Sequence, residues 1–173
     1  MNKMITKMLV FCLLSITQFA YGQDCGDTSS NPSEFNPSGS GSFDWYNDFE
    51  FNGSVTAKIL DSEGNDISQL GDYLLAYGGD GTLQGVKSAA EIPEGLGNGF
   101  AYQILFYSNS VTDELTLKLY KADSGMTVDL NETVSFVSDM IIGNLVMPEN
   151  YTVSCWPLGD GSDPVSGCTD SDA

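Results

Sequence analysis

Residues 114–120 alternate one by one, with Leu115, Leu117 and Leu119 on one side and Thr116 and Lys118 on the other. A period of two is the geometry of an extended strand that turns one face to a core and the other to water. Residues 54–60 repeat it, with Val55, Ala57 and Ile59 inward and Ser54, Thr56 and Lys58 outward. Between these runs, residues 71–87 join an apolar stretch (Tyr73-Leu74-Leu75-Ala76-Tyr77) to a second one (Thr82-Leu83-Gln84-Gly85-Val86) through Gly78-Gly79-Asp80-Gly81. That is strand, glycine turn, strand, because glycine supplies the positive φ a tight turn needs. Asp80 at its tip reads as a turn residue.

The rest of the chain continues the pattern. Residues 100–107 are apolar at nearly every position, which predicts a central strand covered on both faces. Val134 and Phe136 mark a strand after Gly125, residues 139–144 read as a buried apolar bend, and residues 150–155 supply a last strand. Residues 88–99 hold a proline and glycines at 95, 97 and 99, so they predict a loop. Residues 43–51 are rich in aromatics yet acidic; they predict an opening edge strand that packs its rings, with an exposed sugar platform as the other reading. About seven or eight short strands at roughly ten-residue spacing predict an all-β fold, a single antiparallel β-sandwich of the Ig-like or jelly-roll-like kind.

The flanks differ in kind. Lys3 and Lys7 precede an apolar run that ends in Ala20-Tyr21-Gly22, which predicts a signal peptide over residues 1–22. Its apolar core is shorter than the ~20 residues a bilayer span requires, so no membrane insertion is expected after cleavage. Residues 23–42 are serine, glycine, proline and asparagine with only Phe35 to bury, a flexible linker. The β-sandwich is expected over residues 43–155. Residues 156–173 read as an acidic linker running into a cysteine-containing segment.

Charge excludes several partners. Of six lysines two lie in the leader, and the 24 acids all follow it, which leaves a mature net charge of −20 with no arginine and no histidine. Nucleic acid and anionic membrane surfaces both require clustered cations, so neither is a partner. Cys25, Cys155 and Cys168 remain after cleavage; an oxidising destination favours a disulfide, and a Cys25–Cys155 bridge would tie the two ends of the domain.

The blocks SVTAKI, GDYLLAYGGDGTLQGV, FAYQILFY, DELTLKLYKADSG and NETVSFVSDMIIGN together resemble a repeat found in large secreted and surface proteins of marine Bacteroidetes and some algae. Leu75-Ala76-Tyr77, Gln84-Gly85-Val86, Leu117-Lys118-Leu119-Tyr120 with Gly125, and Glu132-Thr133-Val134-Ser135-Phe136 with Asp139 and Gly143 hold the repeat's marked places. Gln84 stands where an arginine is common. The resemblance spans residues 50–155. The ending GCTDSDA resembles the start of a second, cysteine-paired repeat of the form GCTD..A.NY…DDGSC, which would account for Cys168. The resemblance implies a non-catalytic extracellular structural or adhesive module, facing extracellular polysaccharide or other surface proteins, with no set ligand.

Three chemistries can be weighed from the residues. Without histidine or arginine there is no Ser-His-Asp or Cys-His machinery and no bidentate phosphate clamp, so no enzyme is expected. Asp61, Glu63 and Asn65 stand at the 1, 3, 5 spacing of a calcium loop and Asp72 falls twelfth. Position six is Asp66 where such a loop needs glycine, and the same residue types build a plain turn, the reading preferred here with calcium as the alternative cofactor. A carbohydrate-binding surface would use Trp45, Tyr46 and Trp156, since Tyr73, Tyr77, Tyr102 and Tyr107 lie inside strand patterns that explain them by packing.

Overall fold

A computed structural model describes residues 44–153. After a 3-10 helix at Asp44–Asp48 the described residues form nine strands: β1 (Phe51–Leu60), β2 (Tyr73–Tyr77), β3 (Leu83–Ser88), β4 (Ala90–Glu91), β5 (Phe100–Ser108), β6 (Thr112–Lys121), β7 (Met126–Val137), β8 (Ile141–Ile142) and β9 (Glu149–Thr152). They assemble into two sheets. One is ordered β3-β2-β6-β7; the other is β4-β5-β1-β8, with β9 also on β1. The fold is the all-β sandwich its alternation predicts.

Alternation sets the core directly. Val55, Ala57 and Ile59 of β1 and Tyr102, Ile104 and Phe106 of β5 meet Leu74 and Ala76 of β2 and Leu115, Leu117 and Leu119 of β6, all sealed from solvent. Val128, Val134 and Phe136 of β7 and Tyr151 of β9 complete the layer. Burying a side chain of this size contributes about 1.5–3 kcal/mol, so this layer, not any single contact, drives assembly. At one edge the sheets nearly touch. A Cβ on Gly85 of β3 would lie 2.9 Å from the Leu105 carbonyl and 3.0 Å from the Phe106 ring of β5. At the opposite edge Glu132 of β7 accepts from the Thr152 amide and hydroxyl of β9, each at 2.7 Å.

Four expectations are corrected. The sandwich is not antiparallel throughout: β8 and β9 both pair with β1 in parallel. Each pairs over only two to four residues, so no long crossover run announces it in the sequence. β5 is not covered on both faces, since Gln103 is exposed and Leu105 is 48% exposed. The bend at 139–144 is not buried either: Ile141 is 83% exposed, its backbone serving as a β1 partner while its side chain points away. The lead-in at 43–51 is a helical turn rather than an edge strand, and β1 begins only at Phe51.

Candidate functional site

Three segments far apart in sequence converge at one end of the sandwich. The β2–β3 connection is shaped by its glycines: Gly81 takes φ +82°, Gly81 N–H donates to the Gly78 carbonyl and Gly78 N–H to the Thr82 carbonyl, both at 2.9 Å. Asp80 Oδ1 accepts the Thr82 amide at 2.9 Å, which makes Asp80 the turn residue expected of it. In the β5–β6 connection Ser108 Oγ accepts the Ser110 amide at 3.1 Å and donates to Asp113 Oδ2 at 2.9 Å. Asn109 then clamps the chain entering β1, accepting from Glu50 N–H at 3.0 Å and donating to the Asp48 carbonyl at 3.1 Å.

These segments enclose a half-open cleft of about 750 Å³, lined from the hairpin by Gly79, Asp80, Thr82, Leu83 and Gln84, from the second turn by Ser108, Asn109, Ser110 and Asp113, and from the lead-in by Asp48 and Phe49. Phe49 extends outward as an aromatic wall: its ring lies 6.3 Å from Tyr107, which lies 6.1 Å from the half-exposed Tyr46. Its charge is of one sign. The backbone amide of Thr82 is the main cause that holds the Asp80 carboxyl below its usual range, and Asp113 accepts from Glu114 N–H, Ser108 Oγ and Gln84 Nε2. Among the described residues no basic side chain lines the cleft.

Gln84 is the unusual member. It is 6% exposed, and an added Cβ on Gly78 would meet its Nε2 at 2.5 Å, so the carboxamide is wedged against that glycine. Nε2 donates to Asp113 Oδ2 at 3.4 Å, but Oε1 accepts no hydrogen bond among the described residues. A buried amide oxygen without a donor is costly, about 1–3 kcal/mol, and such an atom in the wall of a cleft invites a ligand's donor.

No protein-family model, curated protein or solved structure matches the chain.

The residues singled out from sequence distribute differently. Asp61 and Asn65 do meet: Asp61 Oδ1 accepts the Glu63 and Asn65 amides at 2.9 and 2.8 Å, and Oδ2 accepts Asn65 Nδ2 at 2.9 Å. The Asn65 side chain is the main cause that holds the Asp61 carboxyl below its ordinary range. Both carboxylate oxygens serve the turn, and the exposed Glu63 contributes its amide to it. Asp72 does not join them. It is fully buried and bound to Lys121, with Oδ2 at 2.5 Å from Nζ, so it is a structural ion-pair partner and not a ligand. Among the described residues no group of three or more His, Cys, Asp or Glu is placed to hold a metal ion. Tyr46 stands on the aromatic wall beside the cleft, and Trp45 lies in the short helix that carries that wall. Cys25, Cys155 and Trp156 lie outside the described residues.

Gln84, Ser108, Asp113 and Phe49 were not predicted as site residues. Of these only Gln84 was singled out in the sequence, and not as a site residue. The polar run at 108–113 between two apolar strands is what any turn would show.

Proposed function

We propose that the chain is a non-catalytic, extracellular adhesive module that holds a saccharide in the cleft between the β2–β3 turn, the β5–β6 turn and the lead-in to β1. The observation that carries this reading is Gln84: a buried carboxamide in the wall of an open cleft, with Oε1 lacking a donor. Beside it in the lining are Thr82, Ser108 and Ser110, the acidic Asp48, Asp80 and Asp113, and the aromatic Phe49. Sugar hydroxyls both donate and accept, and the C–H face of a pyranose packs on an aromatic ring, so this mixture suits a saccharide better than an apolar ligand.

Catalysis is disfavoured by the same carboxylates. Glycoside hydrolysis needs one acid kept protonated by a raised pKa, paired with a second across the bond. Asp80 is shifted the opposite way, chiefly because its carboxylate accepts the Thr82 amide. The leader-like residues 1–22 and the acidic, arginine-free composition favour export and an extracellular address.

The test is a glycan array followed by calorimetry on the full exported chain. Binding that is lost in Phe49→Ala and Gln84→Met while both variants retain their melting transitions supports the module. Absence of any saccharide binding leaves a spacer without a ligand site and sinks it.

A further inference from the structure

Charge sharpens the choice of saccharide. Three acidic residues, Asp48, Asp80 and Asp113, line one cleft, and among the described residues no lysine lines it to balance them. In a recess with low-dielectric walls, charges of one sign reinforce one another, so an anionic sugar is repelled and a cationic one is concentrated. A metal ion does not answer to this arrangement, because the acids are spread over three segments and do not converge as a ligand set. An extended cation fits better than a point charge.

Gln84 supplies the second, independent constraint. Its Oε1 requires a donor, while Nε2 is already held by Asp113 Oδ2 at 3.4 Å. Gln84 is among the residues that line the cleft, so a donor reaching its carboxamide from there would find Oε1 the unused acceptor. An ammonium carries three donors and no acceptor, which matches a site whose unused capacity is an amide oxygen flanked by carboxylates. Ser110 and Phe49, also in the lining, remain for the sugar's own hydroxyls and C–H face. Taking the saccharide reading as its basis, we infer that the cleft selects a saccharide bearing a free protonated amine, an amino sugar, over its neutral N-acetylated and its anionic counterparts.

The experiment is calorimetric titration of the full exported chain with a glucosamine oligomer, the matching N-acetylglucosamine oligomer, a glucuronate oligomer and spermidine, at low and at high salt. The expected result is at least about tenfold tighter binding of the free-amine oligomer than of the N-acetylated one, no binding of the glucuronate, and a preference that shrinks as salt shortens the Debye length to about 3 Å at 1 M. Asp48→Asn and Asp113→Asn each reduce the preference. Asp48 is exposed, so its variant is informative even if Asp113→Asn fails to fold. Asp129→Asn, which removes the same charge from β7 outside the cleft, leaves binding unchanged. Equal binding of the free-amine and acetylated oligomers overturns the amine selectivity while leaving the saccharide site standing. Spermidine binding as tightly as the sugar also overturns it, and failure of every saccharide removes both readings together.

Discussion

Lys121 Nζ lies 2.5 Å from Asp72 Oδ2, and neither side chain reaches solvent. Every strong hydrogen-bonding need of the pair is met inside: Lys121 also donates to the Ile67 carbonyl at 2.6 Å, and Asp72 accepts the Gln69 and Ala122 amides, each at 3.0 Å. The pair fastens the connection before β2 to the end of β6, across 49 residues of sequence. A buried ion pair is weak grounds for net stability, because desolvation offsets much of the attraction, but a half-broken one strands a charge.

Lys121→Met is therefore expected to destabilise the fold by about 3–5 kcal/mol, the cost of leaving one buried charge unpaired. The double variant Asp72→Asn/Lys121→Met should recover part of that loss, since no charge is left buried and the asparagine oxygen still accepts one of the two amides, from Gln69 or Ala122, that the carboxylate accepted. Urea unfolding of the two singles and the double decides it. A double variant weaker than both singles would show that the pair contributes more than mutual neutralisation.

Close approach of the sheets at Gly85 gives a second expectation. A methyl there must displace the Leu105 carbonyl at 2.9 Å or the Phe106 ring at 3.0 Å, both belonging to the packed β5. Overpacking of this kind typically destabilises by about 1–3 kcal/mol, so Gly85→Ala should lower the thermal midpoint clearly. Gly79→Ala is the control: its added Cβ meets nothing within 4 Å, and a change within about 0.5 kcal/mol is expected. Similar midpoints for the two variants would refute the steric account.

High pH should loosen the molecule through its buried phenols. Burial first, and then the charges of Glu149 and Glu132, push the Tyr151 hydroxyl up to about 12. Tyr102 is pushed up further, chiefly by burial with the charges of Asp72 and Asp66 adding to it. Above the ordinary tyrosine value near 10 the unfolded chain has released these protons while the folded chain still holds them, so stability falls as pH rises. Their contribution is complete below pH 10 and, for Tyr151, lost as pH climbs through about 12. Melting curves between pH 9 and 11.5 should show a steady fall that is shallower in Tyr151→Phe. A variant as steep as the parent would remove Tyr151 from the cause.

Legibility in the sequence followed the range of the interaction. Leu115, Leu117 and Leu119 announced β6 because the period of two is carried by the strand itself, and every one of them is buried. The Asp61 turn was equally local, closed by Asn65 four residues on. Asp72 was misplaced for the converse reason: spacing from Asp61 suggested a loop position, whereas its partner Lys121 lies 49 residues on, at the end of β6. The cleft was invisible on the same ground, since residues 48–49, 79–84 and 108–113 meet only once two sheets have packed. Parallel pairing of β8 and β9 with β1 rests on contacts too short to leave a pattern.

Gln84→Arg joins the stability of this fold to its proposed binding. The side chain would extend from β3 toward Asp113, whose Oδ2 now receives only the long 3.4 Å contact from Gln84 Nε2 beside the 2.9 Å one from Ser108. A guanidinium brings donors alone, so the unpartnered Oε1 disappears and the carboxylate gains a charge-assisted partner, a type of bond worth about 1.5–3 kcal/mol. For a domain of this size each kcal/mol raises the midpoint by roughly 4 °C, so the variant should melt several degrees higher. The same change fills the cleft and reverses the sign of its strongest feature, so amino-sugar affinity should drop at least tenfold. Calorimetry paired with thermal melting reads both at once. A variant that is more stable and still binds would place the ligand elsewhere on the molecule, and one that loses both would mean that the arginine cannot reach Asp113 from β3.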